Sequence, residues 1–408
     1  MSDERPQIHF DHHSPEFARD PWSVYEQLRR DCPVAHSDAY GGFWVISKYD
    51  DIKRVALDDR TFSSEDSIVI PPKLVQRRAL PIESDPPFFN EYRRIMSPLL
   101  SPAAVKRIEP AIQAFIDQCI DEFIEAGECD IVAEFADPVP AMTTLHILGL
   151  PVETWRTYAE PLHATVFHRQ DNPIRQAALP LYRRMREVIV EAVAERRKQP
   201  RDDGISLLMR GKVFGQPISD DDVLDMIELV LSGGLDTTGS AIGNALIYLD
   251  EHRDARKRLI EQPELLPHAV EEFLRVEAPQ QGLARTATED CVIGGQQIRK
   301  GERVFMLWAS GNRDSDAFAE PDRVILDRLP NRHMTFGLGA HRCLGSNVAR
   351  KDVLLSLRRI LERMPDYQID HESVVHAETI GVVYGYFSIP MTFTSGQRLE
   401  AVEAVGSD

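Results

Sequence analysis

The chain has 408 residues, 43% hydrophobic and 27% charged, an ordinary globular composition that excludes extensive disorder. Its formal net charge of −18 argues against a nucleic-acid surface, which needs basic residues in excess. The first twenty residues carry Asp, Glu, His and Arg throughout, and no run of about 18 apolar residues occurs. Neither a secretory signal nor a membrane anchor is therefore expected, and the chain reads as cytoplasmic.

In chain order, Asp20-Pro21-Trp22 opens a helix-like stretch from Ser23 to Arg30 that stops near Pro33. Gly41 to Tyr49 has the composition of a strand, and Asp50 to Leu57 that of a short helix. Residues 66–87 hold five prolines among Ile, Val and Leu, which suits a loop over a pocket better than regular structure. Helical spacing returns over 102–127, 153–168 and 175–198. The segment Ser219 to His252 reads as one long helix, with Ser219 as N-cap and Asp220, Asp221 and Asp222 in its first turn. At about 1.5 Å per residue it would span roughly 50 Å, the width of the molecule. Strands are expected at Cys291 to Trp308, turning at Gly294-Gly295, and at Gly381 to Phe393. The fold class is mainly α with small β-sheets, in a single domain over 1–408. Its parts are an N-terminal β-containing part (about 1–65), a helical part (about 88–363) and a C-terminal strand pair (about 378–394).

Two stretches carry chemistry. The five cysteines, Cys32, Cys119, Cys129, Cys291 and Cys343, form no CxxC pair and no zinc-like spacing. Only Cys343 lies in a glycine-rich loop, Phe336-Gly337-Leu338-Gly339-Ala340-His341-Arg342-Cys343-Leu344-Gly345. Gly337 and Gly339 permit close backbone approach, Phe336 can shield the sulfur, and a helix starting near Gly345 would stabilise a thiolate. Inside the long helix stands Gly233-Gly234-Leu235-Asp236-Thr237-Thr238. Adjacent mid-helix glycines cost about 1 kcal/mol each relative to alanine. The Thr237 hydroxyl can bond the Gly233 carbonyl four residues back, opening the helix into a groove. A hydroxyl beside a carboxylate then offers a route for protons, through Asp236 and Thr237.

The cysteine loop resembles the haem-thiolate loop of the cytochrome P450 superfamily, and Asp236-Thr237 resembles its acid–alcohol pair. The resemblance runs from Asp20-Pro21 to Gly385 and Pro390 and is nearest to soluble bacterial members of the camphor-hydroxylase type. It implies the helix-rich triangular prism of that family, with haem b between the long helix and the helix after Cys343, and Cys343 as iron ligand. It further implies that Thr335, Phe336, Gly337, Gly339, His341 and Gly345 surround the haem together with Gly233 and Gly234. His341 would bond a propionate, and Arg93 and Arg285 would clamp the propionates. Phe89 stands where the family commonly has His or Gln, so one propionate contact should be missing or supplied from elsewhere. Glu272 and Arg275, at i and i+3, should form a buried pair completed by Arg323, with Val324 replacing the usual Phe.

By the same resemblance Leu235, Thr237, Gln281, Leu283, Val382 and Val383 face the substrate. The segment 66–87 and the stretch around Phe167 and His168 should roof it. These residues favour a small-to-medium hydrophobic substrate, terpenoid, fatty-acid-like or steroid-like. Arg77, Arg78 and His168 are the candidates for binding a substrate carboxylate. Electrons from NAD(P)H must arrive through a ferredoxin or flavodoxin and its reductase. A basic face of Arg93, Arg94, Arg342, Arg350, Lys351, Arg358 and Arg359 is expected to receive the carrier. The expected protein is a monomeric, O2-dependent monooxygenase. Alternatives are a peroxide-driven peroxygenase or a non-enzymatic haem sensor or ligand binder, neither of which needs the acid–alcohol pair.

Overall fold

The computed structural model describes residues 5–72 and 78–399. Its largest sheet is built from six short strands: β1 (Gln7–Ile8), β2 (Val34–Ser37), β3 (Phe43–Ile46), β4 (Phe62–Ser63), β5 (Leu283–Ala287) and β6 (Arg303–Met306), in the order β1-β2-β3-β6-β5-β4. β3 reads Phe-Trp-Val-Ile and is buried at every position, as expected of a strand covered on both faces. β6 joins the chain's two ends, running parallel to β3 and antiparallel to β5, with Val304 opposite both Trp44 and Arg285. The turn at Gly294-Gly295 is present, with φ of 53° and 82°. It joins Cys291–Ile293 to Gln296–Ile298 in a separate hairpin.

The helices that matter for the site are α1 (Tyr49–Leu57), α2 (Phe88–Met96), α3 (Pro102–Phe123), α4 (Pro138–Leu148), α5 (Trp155–Phe167) and α6 (Leu179–Lys198). After them come α7 (Asp220–Gly234), α8 (Asp236–Glu251), α9 (Leu266–Val276) and α10 (Ser346–Arg363). Ser101 caps α3 by accepting from the Ala104 N–H, with Pro102 at the first helical position, where its missing N–H costs nothing. Ser219 caps α7 in the expected way, accepting from the Asp222 N–H. The expected single helix from Ser219 to His252 is two: α7 ends at Gly234 and α8 begins at Asp236, with Leu235 (φ −84°, ψ −77°) at the break. The physical reason is local. The Thr237 hydroxyl bonds the Gly233 carbonyl at 2.9 Å, and two glycines offer no side-chain packing to resist the opening.

α8 is buried along most of its length, so it serves as the central pillar. α3, α8, α9 and α10 share one apolar core, and α4, α5, α6 and α7 share a second. The C-terminal segment does not form one strand pair. Tyr386–Ser388 pairs with Val375–His376, whereas Pro390–Thr392 pairs with Gln368–Ile369 and Glu128–Asp130. Among the described residues no helix is long and apolar enough to cross a membrane.

Candidate active site

One cavity is walled by the α7–α8 break, the cysteine loop, α2, β5 and the start of α10. The loop is shaped by its own backbone. The Gly337 N–H donates to the Met334 carbonyl and the Cys343 N–H to the Phe336 carbonyl, both at 2.8 Å. Gly337 (φ 65°) and Gly339 (φ 68°) lie in the left-handed region that favours glycine. At Gly339 a Cβ would also sit 2.8 Å from the Ala56 carbonyl of α1, so that contact too needs a glycine. Cys343 is exposed to the cavity. Burial pushes its thiol up from the ordinary value, against the Gly345 N–H and the cations of Arg93, Arg342 and Arg350. Gly345 is the N-cap of α10, so the positive end of a helix dipole lies beside the sulfur. Phe336 lines the cavity and is itself covered by the Arg350 guanidinium, 4.3 Å from its ring centre.

Gly233, Gly234 and Thr237 all reach the cavity. A Cβ on Gly233 would meet nothing within 4 Å, whereas one on Gly234 would lie 2.6 Å from the Thr144 hydroxyl of α4. Asp236 does not reach it. Its buried carboxylate turns to α5, where Oδ1 lies 2.8 Å from His163 Nε2.

Positive groups converge on the same cavity. Alternation along β5 puts Leu283 and Arg285 on one face, and both line it. Burial brings Arg285 down to about 10, opposed by Asp85. Arg93 on α2 donates to the Arg342 carbonyl at 2.6 Å. His341 is lowered to about 3 by burial and then by Arg285 and Arg93, and its buried Nδ1 has no hydrogen-bond partner. Among the described residues neither arginine has a carboxylate within ion-pair distance. Two uncompensated guanidiniums, an orphaned imidazole nitrogen and a cysteine sulfur on one apolar cavity suit a flat apolar ligand with two carboxylates and a thiophilic metal. A haem fits that description. Phe89 packs its ring 4.1 Å from His341 and so takes a packing position where a donor was expected. Thr335 lines the cavity and ties the loop down, donating to the Leu274 carbonyl at 2.6 Å and accepting from Asn312.

Glu272 and Arg275 are fully buried and doubly bonded, at 2.7 and 2.8 Å. The residue that completes them is Arg328, whose Nε donates to Glu272 Oε1 at 2.9 Å. Arg323 is not that partner. Its exposed side chain pairs with Glu320, and only its carbonyl joins the network, accepting from Arg275 at 3.0 Å.

Four expected pocket residues are elsewhere. Leu235 is buried in the core of α4 to α7. Gln281 is locked between the Tyr25 hydroxyl and the Ala278 carbonyl, and its neighbour Gln280 lines the cavity instead. Val382 and Val383 pack with Phe167 and Ala377 in a separate cluster. His168 is stacked on Phe387 and paired with Glu378, and Arg78 lies 3.9 Å from Glu65, so neither stands ready for a substrate carboxylate. Arg77 lies outside the described residues. The expected basic face is largely neutralised, because Arg94 pairs with Glu91, Arg350 with Glu271, Lys351 with Glu109 and Arg359 with Asp117. Sequence reasoning missed Arg328, Gln280 and His163. For His163 no local signal existed, since its partner Asp236 is 73 residues away.

A sequence model described as cytochrome P450 matches residues 142–365. Cytochrome P450 130 of Mycobacterium tuberculosis is 32% identical over 376 residues, covering 87% of this chain and 91% of that protein. Steroid C26-monooxygenase of Mycolicibacterium smegmatis is 34% identical over 287 residues, 70% of this chain and 72% of that one. Among solved structures, CYP109E1 of Bacillus megaterium in complex with testosterone superposes with a TM-score of 0.85 at 30% identity, covering 93% of this chain and 100% of the other.

Proposed function

The chain belongs to the cytochrome P450 family and is a P450 monooxygenase of that helix-rich fold, and on that premise we propose how its residues hold haem and serve O2. The observation that carries the reading is that Cys343 opens into the same cavity that Gly233 and Thr237 wall. Haem b with thiolate-bound iron supplies O2 binding and the electron push that favours O–O cleavage.

Cys343 is the metal ligand. The Gly345 N–H and the start of α10 stabilise its negative charge, while Phe336 keeps water from the sulfur. Arg93, Arg285 and His341 take the propionates. Phe89 cannot donate, and its role is to hold the His341 ring in place. Gly233 and Gly234 leave room beside the long-helix break. The Thr237 hydroxyl passes protons that Asp236 receives from the solvent side. This acid–alcohol pair distinguishes an O2-dependent monooxygenase from a peroxide-driven enzyme or a haem sensor.

The cavity walls include Ile82, Leu229, Val230 and Leu283, so the substrate is apolar and small to medium in size. A relative named for a steroid and a neighbour solved with testosterone support a steroid-like compound within a range that includes terpenoid and fatty-acid-like molecules. Electrons come from NAD(P)H through a separate ferredoxin or flavodoxin and its reductase. With four of the expected cations paired, Arg342 and Arg358 remain to steer an acidic carrier. The protein works as a cytoplasmic monomer.

The test is reconstitution with NADPH, a surrogate ferredoxin and reductase, and a panel of apolar compounds, with peroxide alone as the parallel arm. Product is expected in the first arm, and turnover by peroxide alone would overturn the reading. Cys343→Ser should remove the red-shifted Soret band of the reduced carbon monoxide complex; its retention would dismiss Cys343 as ligand.

A further inference from the structure

The proposed proton route has a solvent end that no sequence motif announces. Asp236 is walled off, its side chain 1% exposed, and it does not line the cavity. Thr237, the next residue, does. On the other side of Asp236 stands His163 of α5, its Nε2 2.8 Å from Asp236 Oδ1 and its side chain 20% exposed. Asp137, at the start of α4, faces the other ring nitrogen, with Oδ2 3.6 Å from Nδ1. Both oxygens of Asp236 are buried without an aligned hydrogen bond, Oδ1 touching His163 only as an ion pair, so the carboxylate retains acceptors for a proton or a water. Three elements meet here, and the chain of groups runs from water to His163, to Asp236, to the Thr237 wall of the cavity.

We infer that His163 is the solvent-side proton donor to Asp236 and, acting through it, a positioning residue for the reaction. This rests on the acid–alcohol reading proposed above. In the step, the His163 Nε2–H bond breaks and an O–H bond forms on Asp236 Oδ1, with no electrons transferred. The neutral imidazole left behind keeps its Nδ1–H, and once Asp236 has passed its proton on, water reaching the 20% exposed side chain returns a proton to the vacant Nε2. Transfer converts a buried ion pair into two neutral groups, which relieves desolvation and offsets the lost Coulomb attraction. The electrostatics keep the donor loaded. Burial pulls the imidazole down, but Asp236 and then Asp137 outweigh it, with a smaller push from Glu160 one turn earlier on α5, and carry it up to about 9. Asp137 itself is raised to about 6, by burial first and then by Asp236 and Asp130, against His163. Because the histidine is raised, its proton is present below that value and lost as pH rises through it.

Two measurements test this. Nitrogen-15 histidine NMR on the substrate-free protein, with His163 assigned through His163→Gln, should show a titration midpoint near about 9. The midpoint should fall by about one unit or more in Asp236→Asn and in Asp137→Asn. A midpoint at the ordinary histidine value overturns the inference before any turnover is measured. In the reconstituted enzyme, His163→Gln should lower kcat about tenfold or more at little change in KM, divert reducing equivalents to peroxide, and abolish the alkaline limb of the pH profile. If Asp236→Asn uncouples and His163→Gln does not, His163 is structural and the inference falls while the relay stands. If neither uncouples, the acid–alcohol reading itself falls, and this inference with it.

Discussion

Glu272 shows how much one buried carboxylate can organise. It accepts from Arg275, Arg328, Asn331 and the Ile325 N–H, all between 2.7 and 3.0 Å, and is fully buried. Arg275 in turn donates to the carbonyls of Asn312, Pro321 and Arg323. The Asn312 amide then donates to the Thr335 hydroxyl at the start of the cysteine loop, so the network holds the loop from behind. Removing Arg328 leaves Glu272 short of a charged partner in a dry site, and breaking such a pair costs about 3–5 kcal/mol. Arg328→Leu should therefore lower Tm sharply and reduce the haem content of purified protein. Arg323→Ala removes only an exposed pair and should stay within about 0.5 kcal/mol of the parent. Melts of the two variants decide between them, and the opposite order would restore Arg323 as the partner. The sequence could not separate these arginines. Both follow Glu320 closely, and spacing in an irregular segment does not say which side chain turns inward.

At the scale of elements, the glycine pair behaves as two different residues. Gly234 faces α4, and a methyl there would strike the Thr144 hydroxyl at 2.6 Å; Gly233 faces open cavity. Gly234→Ala should destabilise by about 1–3 kcal/mol through overpacking. Gly233→Ala should melt at or above the parent, because alanine is the better helix former by about 1 kcal/mol, yet its methyl takes space from bound molecules. Thermal melts and spectral titration with apolar compounds check both. Equal melting of the two variants would refute the assignment of faces. The same break explains which pocket residues were legible. Gly233, Gly234 and Thr237 were identified from their chemistry, and they line the cavity. Leu235 was assigned by the family resemblance, but at the break its dihedrals carry its side chain into the core of α4 to α7. Gln281 failed for a related reason. One step along an extended chain reverses the side-chain direction, so Gln280 faces the cavity and Gln281 bonds Tyr25. Caps and turns such as Ser219 and Gly294-Gly295 were readable because their signals are local. Strand partners of Tyr386–Ser388 and Pro390–Thr392 were not, because pairing depends on chain many residues distant.

For the whole molecule, the distribution of charge says more than the net value. A chain of formal charge −18 places Arg93, Arg285 and His341 around one enclosed space without a carboxylate partner among the described residues. Burial works against the charge of Arg285, which is drawn down to about 10, and against His341, drawn to about 3. A buried cation such as Arg285 opposes folding until an anion joins it, whereas His341 at that value is neutral near pH 7. Stability and cofactor retention should then respond in opposite directions to one substitution. Arg285→Met keeps a long apolar side chain in β5 and removes the charge, so the haem-free protein should melt a few degrees higher than the parent. The haem-loaded variant should lose that advantage, because the proposed charge-assisted propionate contact, worth about 1.5–3 kcal/mol, would be gone. Haem transfer to an acceptor protein should accelerate about tenfold or more, by the same free energy. Differential scanning calorimetry of both forms, with the transfer rate followed at the Soret band, reads the two effects separately. A lower melting temperature in the haem-free variant would show that Arg285 is a structural residue of the sheet, held by the Ala284 carbonyl and Asp85 rather than waiting for a ligand.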